Sequence, residues 1–129
     1  MTSPGQLVTS FIEAIERKDL PGALGLLSSE CEYDNVPMGK VHGPDAVSAT
    51  LAPFLAGFDT VEWIVHHQAS HGDLDRGVVL NERLDRFGKD GRWLELAVAG
   101  LFLVEDGRIS LWRDYFDRDT LLRQMAAMA

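Results

Sequence analysis

Residues 78–87 read VVLNERLDRF, and the period of two of a β-strand places Asn81, Arg83 and Asp85 on one face. Leu80, Glu82, Leu84 and Arg86 fall on the other, a mixture suited to partly solvated surface. Three hydrogen-bonding side chains in a row admit two readings. On an open sheet they form a wet ladder, with Arg83 and Asp85 as a surface ion pair contributing at most about 1 kcal/mol. On a sheet that curls around a pocket they face inward, and burial opens the carboxylate's pKa to tuning. The rest of the chain bears on the choice.

Downstream and upstream of this run the pattern is also strand-like. Residues 60–70, 75–87, 92–104 and 108–116 are four β-like runs separated by the turn signals HGDL, GKDG and EDG, which predicts an antiparallel meander. The third run, with Leu94, Leu96, Val98, Leu101 and Leu103 and with Ala97, Ala99 and Phe102 between them, is apolar on both faces and reads as a central strand covered on both sides. Gly100 is a place for it to bend. In the fourth, ISLWRDYF, the residues Ser110, Trp112, Asp114 and Phe116 share a face, so a carboxylate lies between two aromatics and calls for a cationic partner.

The N-terminal half is mostly helical. Ser3, Pro4 and Gln6 read as an N-cap, a proline at the first helical position and the far half of a capping box. Leu7, Val8, Phe11, Ile12 and Ile15 then form one buried stripe, through about Lys18. Asp19 caps a short second helix carrying Leu20, Ala23, Leu24 and Leu27, paired with the first as a hairpin. The run CEYDNV, 31–36, is extended ahead of Pro37, with Tyr33 and Asn35 on one face. Pro44 opens a third helix, and Pro53 is expected to kink or break it near Ala52. Asp117 caps a last helix with Leu121, Leu122, Met125 and Met128.

The 129 residues, 46% hydrophobic and 25% charged, read as one globular domain spanning 1–129. A formal net charge of −8 argues against nucleic acid and against an anionic membrane surface, because the twelve basic residues are scattered among twenty carboxylates. The N-terminal residues show neither a positive leader nor a long apolar run, and no stretch has transmembrane length, so the expected location is cytoplasmic. The single Cys31 can form no internal disulfide and suits a buried small hydrophobe better than a nucleophile. His66, His67 and His71 do not make a metal site, since neighbours on a strand face opposite ways and positions four apart lie about 13 Å apart. No phosphate loop or serine elbow is present in the sequence, so neither metal nor cofactor is expected and catalysis falls to carboxylates.

If Asp85 and Asp114 converge with Arg83 between them, the guanidinium can hydrogen-bond both. Two carboxylates sharing one cation titrate unequally, leaving an acid beside a base. A structural ion-pair network is the alternative at this level of reading.

The run Tyr33 to Met38 (YDNVPM), the strand segment NERLD from Asn81 to Asp85, and the stretch from Gly100 through DGRI to LWRDYFD, ending at Asp117, resemble the limonene-1,2-epoxide hydrolase family over nearly the whole chain. The resemblance implies an α+β fold of the nuclear-transport-factor-2-like type, a cone-shaped, curved, mostly antiparallel sheet closed by the N-terminal helices, with dimers usual. It implies roles for five residues. Asp85 would be the general acid that protonates an epoxide oxygen, Asp114 the base for water and Arg83 the bridge between them, while Tyr33 and Asn35 hold the water. The expected partners are a small apolar epoxide, water and a second copy of the chain. A ketosteroid-isomerase-like proton shuttle, which has no use for the trio, and a non-catalytic ligand-binding protein are the alternatives on the same fold.

Overall fold

The computed structural model describes residues 3–129; Met1 and Thr2, which the reading of 1–129 as one domain and the reading of the N-terminus include, lie outside the described residues. Four helices and six strands follow in the order α1 (Pro4–Glu16), α2 (Leu20–Leu24), β1 (Leu27–Asn35), β2 (Gly39–His42), α3 (Pro44–Ala56), β3 (Thr60–Gly72), β4 (Arg76–Lys89), β5 (Arg92–Glu105), β6 (Arg108–Tyr115) and α4 (Arg118–Met128). The strands form one open sheet ordered β2-β1-β6-β5-β4-β3. All neighbours are antiparallel except β1 and β6.

Local chemistry sets most of the boundaries. The Ser3 hydroxyl accepts the Gln6 amide at 3.1 Å with Pro4 in the first turn, as the sequence implies. The helix stops at Glu16, two residues short of expectation, because Lys18 takes a left-handed conformation with φ 60°. Its amide then bonds the Ile15 carbonyl and that of Asp19 the Ala14 carbonyl, closing the helix end with a double backbone bond. Asp19 and Asp117 cap the next and last helices at 3.0 and 3.1 Å. The β4–β5 and β5–β6 hairpins turn on Asp90-Gly91 and Asp106-Gly107, each pair with both φ positive, the backbone that two-residue hairpins of right-twisted strands require.

Further expectations need correction. Leu27, read as part of the second helix, opens β1 instead, because α2 ends at Leu24. The extended run at 31–36 belongs to a longer strand, β1, and the short polar β2 beside it carries no hydrophobic signal. Pro53 does not break α3, which continues to Ala56. Pro53 lies in the last turn and Ala49 is exposed, so the carbonyl that loses its partner is on the solvent side, where water can satisfy it. And β5 is covered on one face only: Leu94, Leu96, Val98, Phe102 and Val104 are buried, whereas Ala97 and Ala99 are exposed and Leu101 and Leu103 half-buried.

The concave face holds the core. Leu7, Val8, Phe11, Ile12 and Ile15 of α1 are buried against it, with Phe11 edge-on to Trp112 at 4.9 Å between ring centres. Tyr33 stacks on Trp112 at 3.8 Å, and Phe54, Phe58 and Phe87 cluster beyond. Helices therefore cover the face toward which Asn81, Arg83 and Asp85 point, and the inward reading of that row is the one realised.

Candidate active site

Among the described residues, four polar or charged side chains are buried in this core: Asn81, Arg83, Asp85 and Asp114. Arg83 is 1% exposed and uses its whole guanidinium. Nε donates to Oδ1 of Asp85 and Nη2 to Oδ2 of Asp85, both at 2.9 Å. Nη2 also donates to Oδ2 of Asp114 at 3.0 Å, and Nη1 to Oδ1 of Asp114 at 3.3 Å. The remaining Nη1 proton goes to Oδ1 of Asn81 at 3.2 Å. Five donors thus meet five acceptor contacts, the most a guanidinium can make. The indole of Trp63 packs under it, with the guanidinium carbon 4.8 Å from the ring centre.

Register explains the convergence. Asp114 lies opposite Gly100 on β5, and Gly100 opposite Asn81 on β4, so Arg83 must reach across β5 to touch Asp114. It can do so because position 100 has no side chain. A Cβ there would lie 2.5 Å from Nη1 of Arg83, 2.8 Å from Oδ1 of Asn81 and 3.1 Å from Oδ1 of Asp114. Gly100 therefore makes room for the arginine. On the far side Asn35 is the register partner of Asp114 and Tyr33 that of Trp112. The five residues singled out in the sequence are thus gathered in one place.

Electrostatics sets the Asp85 carboxyl apart from an ordinary one. Burial pushes the Asp85 carboxyl up to about 6, and this outweighs the downward pull of Arg83; Asp114 and Glu16 push the same way as burial. Burial alone would pull Arg83 down, but Asp114 and Asp85 beside it hold it above the ordinary arginine range and keep it charged. Tyr33 is displaced upward, first by burial and then by Asp114, with Asn35 hydrogen-bonded to its phenol, and so stays a neutral hydroxyl. Burial, then Glu32, lifts the Cys31 thiol to about 12, which leaves no thiolate at neutral pH and fits the reading of it as a small hydrophobe.

A cavity of about 190 Å³ opens over Tyr33, Asn35, Asp85 and Asp114. Its walls are apolar, with Phe54 and Leu55 from α3, Phe87 and Val98 from the sheet, and Leu121 and Met125 from α4. The space is of a size for a small apolar molecule, with two carboxyls, a phenol and an amide facing it. Gly100 and Trp63 were not legible as parts of the site; an isolated glycine in an apolar strand signals a close backbone approach or a bend without saying which. Among the described residues, no group of three or more His, Cys, Asp or Glu is placed to hold a metal ion. His67 is exposed and meets Glu82 at 3.1 Å.

The open curved sheet with helices over its concave face defines the class: an α+β protein of the nuclear-transport-factor-2-like fold, with an Asp–Arg–Asp cluster at the base of its pocket. The chain belongs to the limonene-1,2-epoxide hydrolase family, whose catalytic-domain model matches residues 2–127. It is 33% identical over 110 residues to the epoxide hydrolase EphG of Mycobacterium tuberculosis, covering 85% of this chain and 70% of that protein. A solved M. tuberculosis LEH-like epoxide hydrolase is 31% identical, covers 95% of this chain and 92% of its own, and superposes with a TM-score of 0.74. An NTF2-like protein from Burkholderia pseudomallei is 26% identical, with 92% and 94% coverage and a TM-score of 0.73. No helix of the described residues is long and apolar enough to cross a membrane.

Proposed function

We propose that this epoxide hydrolase opens a small terpene-like or cycloaliphatic epoxide to a vicinal diol in one step, with water as the nucleophile. The observation that carries the reading is the pair of buried carboxylates on one guanidinium, both facing an apolar cavity. Asp85, held toward its protonated form by burial, gives its proton to the epoxide oxygen as the carbon–oxygen bond breaks. Asp114 takes a proton from the water whose oxygen forms the new bond to carbon. Tyr33 and Asn35, beside Asp114, hold that water. The diol leaves with one oxygen from the epoxide and one from water, and the proton now on Asp114 returns to Asp85, so nothing is consumed but water and epoxide. Arg83 stays charged throughout and keeps the two carboxyls in place.

The cavity limits the substrate. A volume of about 190 Å³ takes a molecule of limonene oxide size or smaller, bound by apolar burial at about 25 cal/mol per Å². Incubation with cyclohexene oxide, styrene oxide and limonene oxide, with and without EDTA, tests the reading. Diol should form equally in both arms. Loss of activity in EDTA with recovery on adding zinc would overturn the metal-free chemistry, and no turnover of any epoxide would favour a ligand-binding role.

We also propose that the chain acts as a cytoplasmic homodimer through the convex face of the sheet. Leu80, 53% exposed, and Tyr115, 47% exposed, flank Ala99 and Leu101 around a shallow apolar hollow. A monomeric antiparallel sheet with one face in water would carry polar residues there. The covering surface is a second copy, since a two-fold contact matches this patch to itself. Sedimentation equilibrium should give twice the chain mass, and Leu80→Glu should give the monomer.

A further inference from the structure

One row of register partners runs across five strands: Asn35 on β1, Asp114 on β6, Gly100 on β5, Asn81 on β4 and Gln68 on β3. Its last two members have no part in the chemistry described so far. Asn81 is buried, and its Oδ1 takes the one guanidinium proton that neither aspartate takes. Its Nδ2 donates to Oε1 of Gln68 at 3.2 Å. The orientation of both amides follows from chemistry: a guanidinium only donates, so Asn81 must offer it oxygen, and the amide nitrogen is then turned to Gln68, which must offer oxygen in turn.

Gln68 owes its place to an irregularity. Val65 pairs with Arg83, and an unbroken ladder would put His67 opposite Asn81. Instead β3 shifts register between Val65 and His67, so that His67 pairs with Glu82 and Gln68 with Asn81. One extra residue thus moves the histidine to the outer face and brings an amide carbonyl to the inner one, as bulges beside active sites do when they re-aim a side chain. The Gly5 backbone of α1 packs close to the Gln68 amide, where an added Cβ would be 3.3 Å from Nε2.

We infer that Gln68 and Asn81 are positioning residues for epoxide opening: the Gln68–Asn81 amide pair fixes the rotation of the Arg83 guanidinium, and through it the placement of Asp85 and Asp114 against the substrate. Without the Asn81 oxygen, four of the five guanidinium protons remain held by aspartates, but the plane is free to tilt about them. Misplacement of the acid and base by a fraction of an ångström lowers the rate without altering how the apolar substrate binds. The inference rests on the reading of Asp85 and Asp114 as acid and base.

The test is steady-state hydrolysis of styrene oxide from pH 4 to 9 by the parent protein and by Asn81→Leu, Asn81→Asp, Gln68→Leu and Asp85→Asn. Asn81→Leu should lower kcat about 10- to 100-fold with KM little changed, and Gln68→Leu should lower it several-fold in the same manner. Asn81→Asp keeps an acceptor for Arg83 and should recover most of kcat at low pH. Its alkaline limb should move to higher pH, because a third carboxylate joins Asp114 and Glu16 around Asp85, opposed only by Arg83, with neutral Tyr33 nearby. Unchanged kcat and pH profile in both leucine variants, with only the melting temperature altered, would overturn the inference. Should Asn81→Leu fail to fold, unchanged kinetics in Gln68→Leu, at an exposed position, decides against it alone. An active Asp85→Asn, or an inactive parent protein, would overturn the acid–base reading and the positioning role with it.

Discussion

Asp85 and Asp114 accept from the same nitrogen: Nη2 of Arg83 is 2.9 Å from Oδ2 of Asp85 and 3.0 Å from Oδ2 of Asp114. Two carboxylates and one guanidinium carry one net negative charge in an apolar core, and a proton on either carboxylate removes it. Burial holds the Asp85 carboxyl toward its protonated form, outweighing the downward pull of Arg83. Asp85 and Asp114, the proposed acid and base, are therefore two halves of one charge arrangement, and the first consequences concern what happens when either half is changed.

Asp85→Asn and Asp114→Asn should each lower kcat by at least about 10³, with the circular dichroism spectrum retained, since each removes one proton-transfer group while keeping its shape. Arg83→Ala should match that loss and also destabilise by about 3–5 kcal/mol in urea unfolding, because it leaves two buried carboxylates without their cation. Tyr33→Phe should cost less, as it removes one water ligand of several.

Activity and stability should both depend on the proton of Asp85, with the sign fixed by the direction of its displacement. Its carboxyl titrates at about 6 in the fold, against an ordinary value of 3.8. As the acid, it fails once deprotonated, so kcat/KM should fall as pH rises through about 6. Because the folded value is the higher one, its contribution to stability is complete below about pH 4 and is lost as pH rises through 6, on the order of 3 kcal/mol. The difference in melting temperature between the parent protein and Asp85→Asn should move in favour of the variant between pH 4 and 7. A difference that stays constant over that range would contradict the raised value.

Gly100→Ala should lower kcat by about 10-fold or more with little change in KM. The new methyl must displace the Arg83 fork or the Asn81 and Asp114 oxygens, all held by hydrogen bonds. Paired kcat and KM values for the variant check this, and an alanine variant with parental kinetics would show that the close approach is relaxed without consequence.

Enlarging a wall side chain should separate substrates by size. Leu55→Phe takes space from a cavity of about 190 Å³, so kcat/KM for limonene oxide should fall at least about tenfold more than for cyclohexene oxide. Equal losses for the two would place substrate selection outside this cavity.

Much of the site was legible in the sequence because period-two alternation is a local property: it put Asn81, Arg83 and Asp85 on one face, and Trp112 with Asp114 on another strand, without knowledge of how the strands pair. What alternation does not carry is register. Gln68 reaches Asn81 only through the shift between Val65 and His67, and the space that Arg83 uses exists because Gly100 falls between Asn81 and Asp114. The same limit hid β2, four residues with no apolar pattern, and made β5 look covered on both sides. Leu101 lines the convex-face hollow on which the dimer is proposed, so its apolar character would answer to a surface outside one chain's core. Pro53 failed as a helix breaker because the cost of a lost hydrogen bond depends on whether water can replace it.

The most direct test of the mechanism is a single turnover in ¹⁸O-labelled water with enzyme in excess over epoxide. If Asp114 only deprotonates water, the label is in the diol from that first turnover and the protein stays unlabelled. An unlabelled first diol, with label later found in a carboxylate of Asp85 or Asp114, would mean that an aspartate had attacked carbon to form an ester, and would contradict the one-step addition of water.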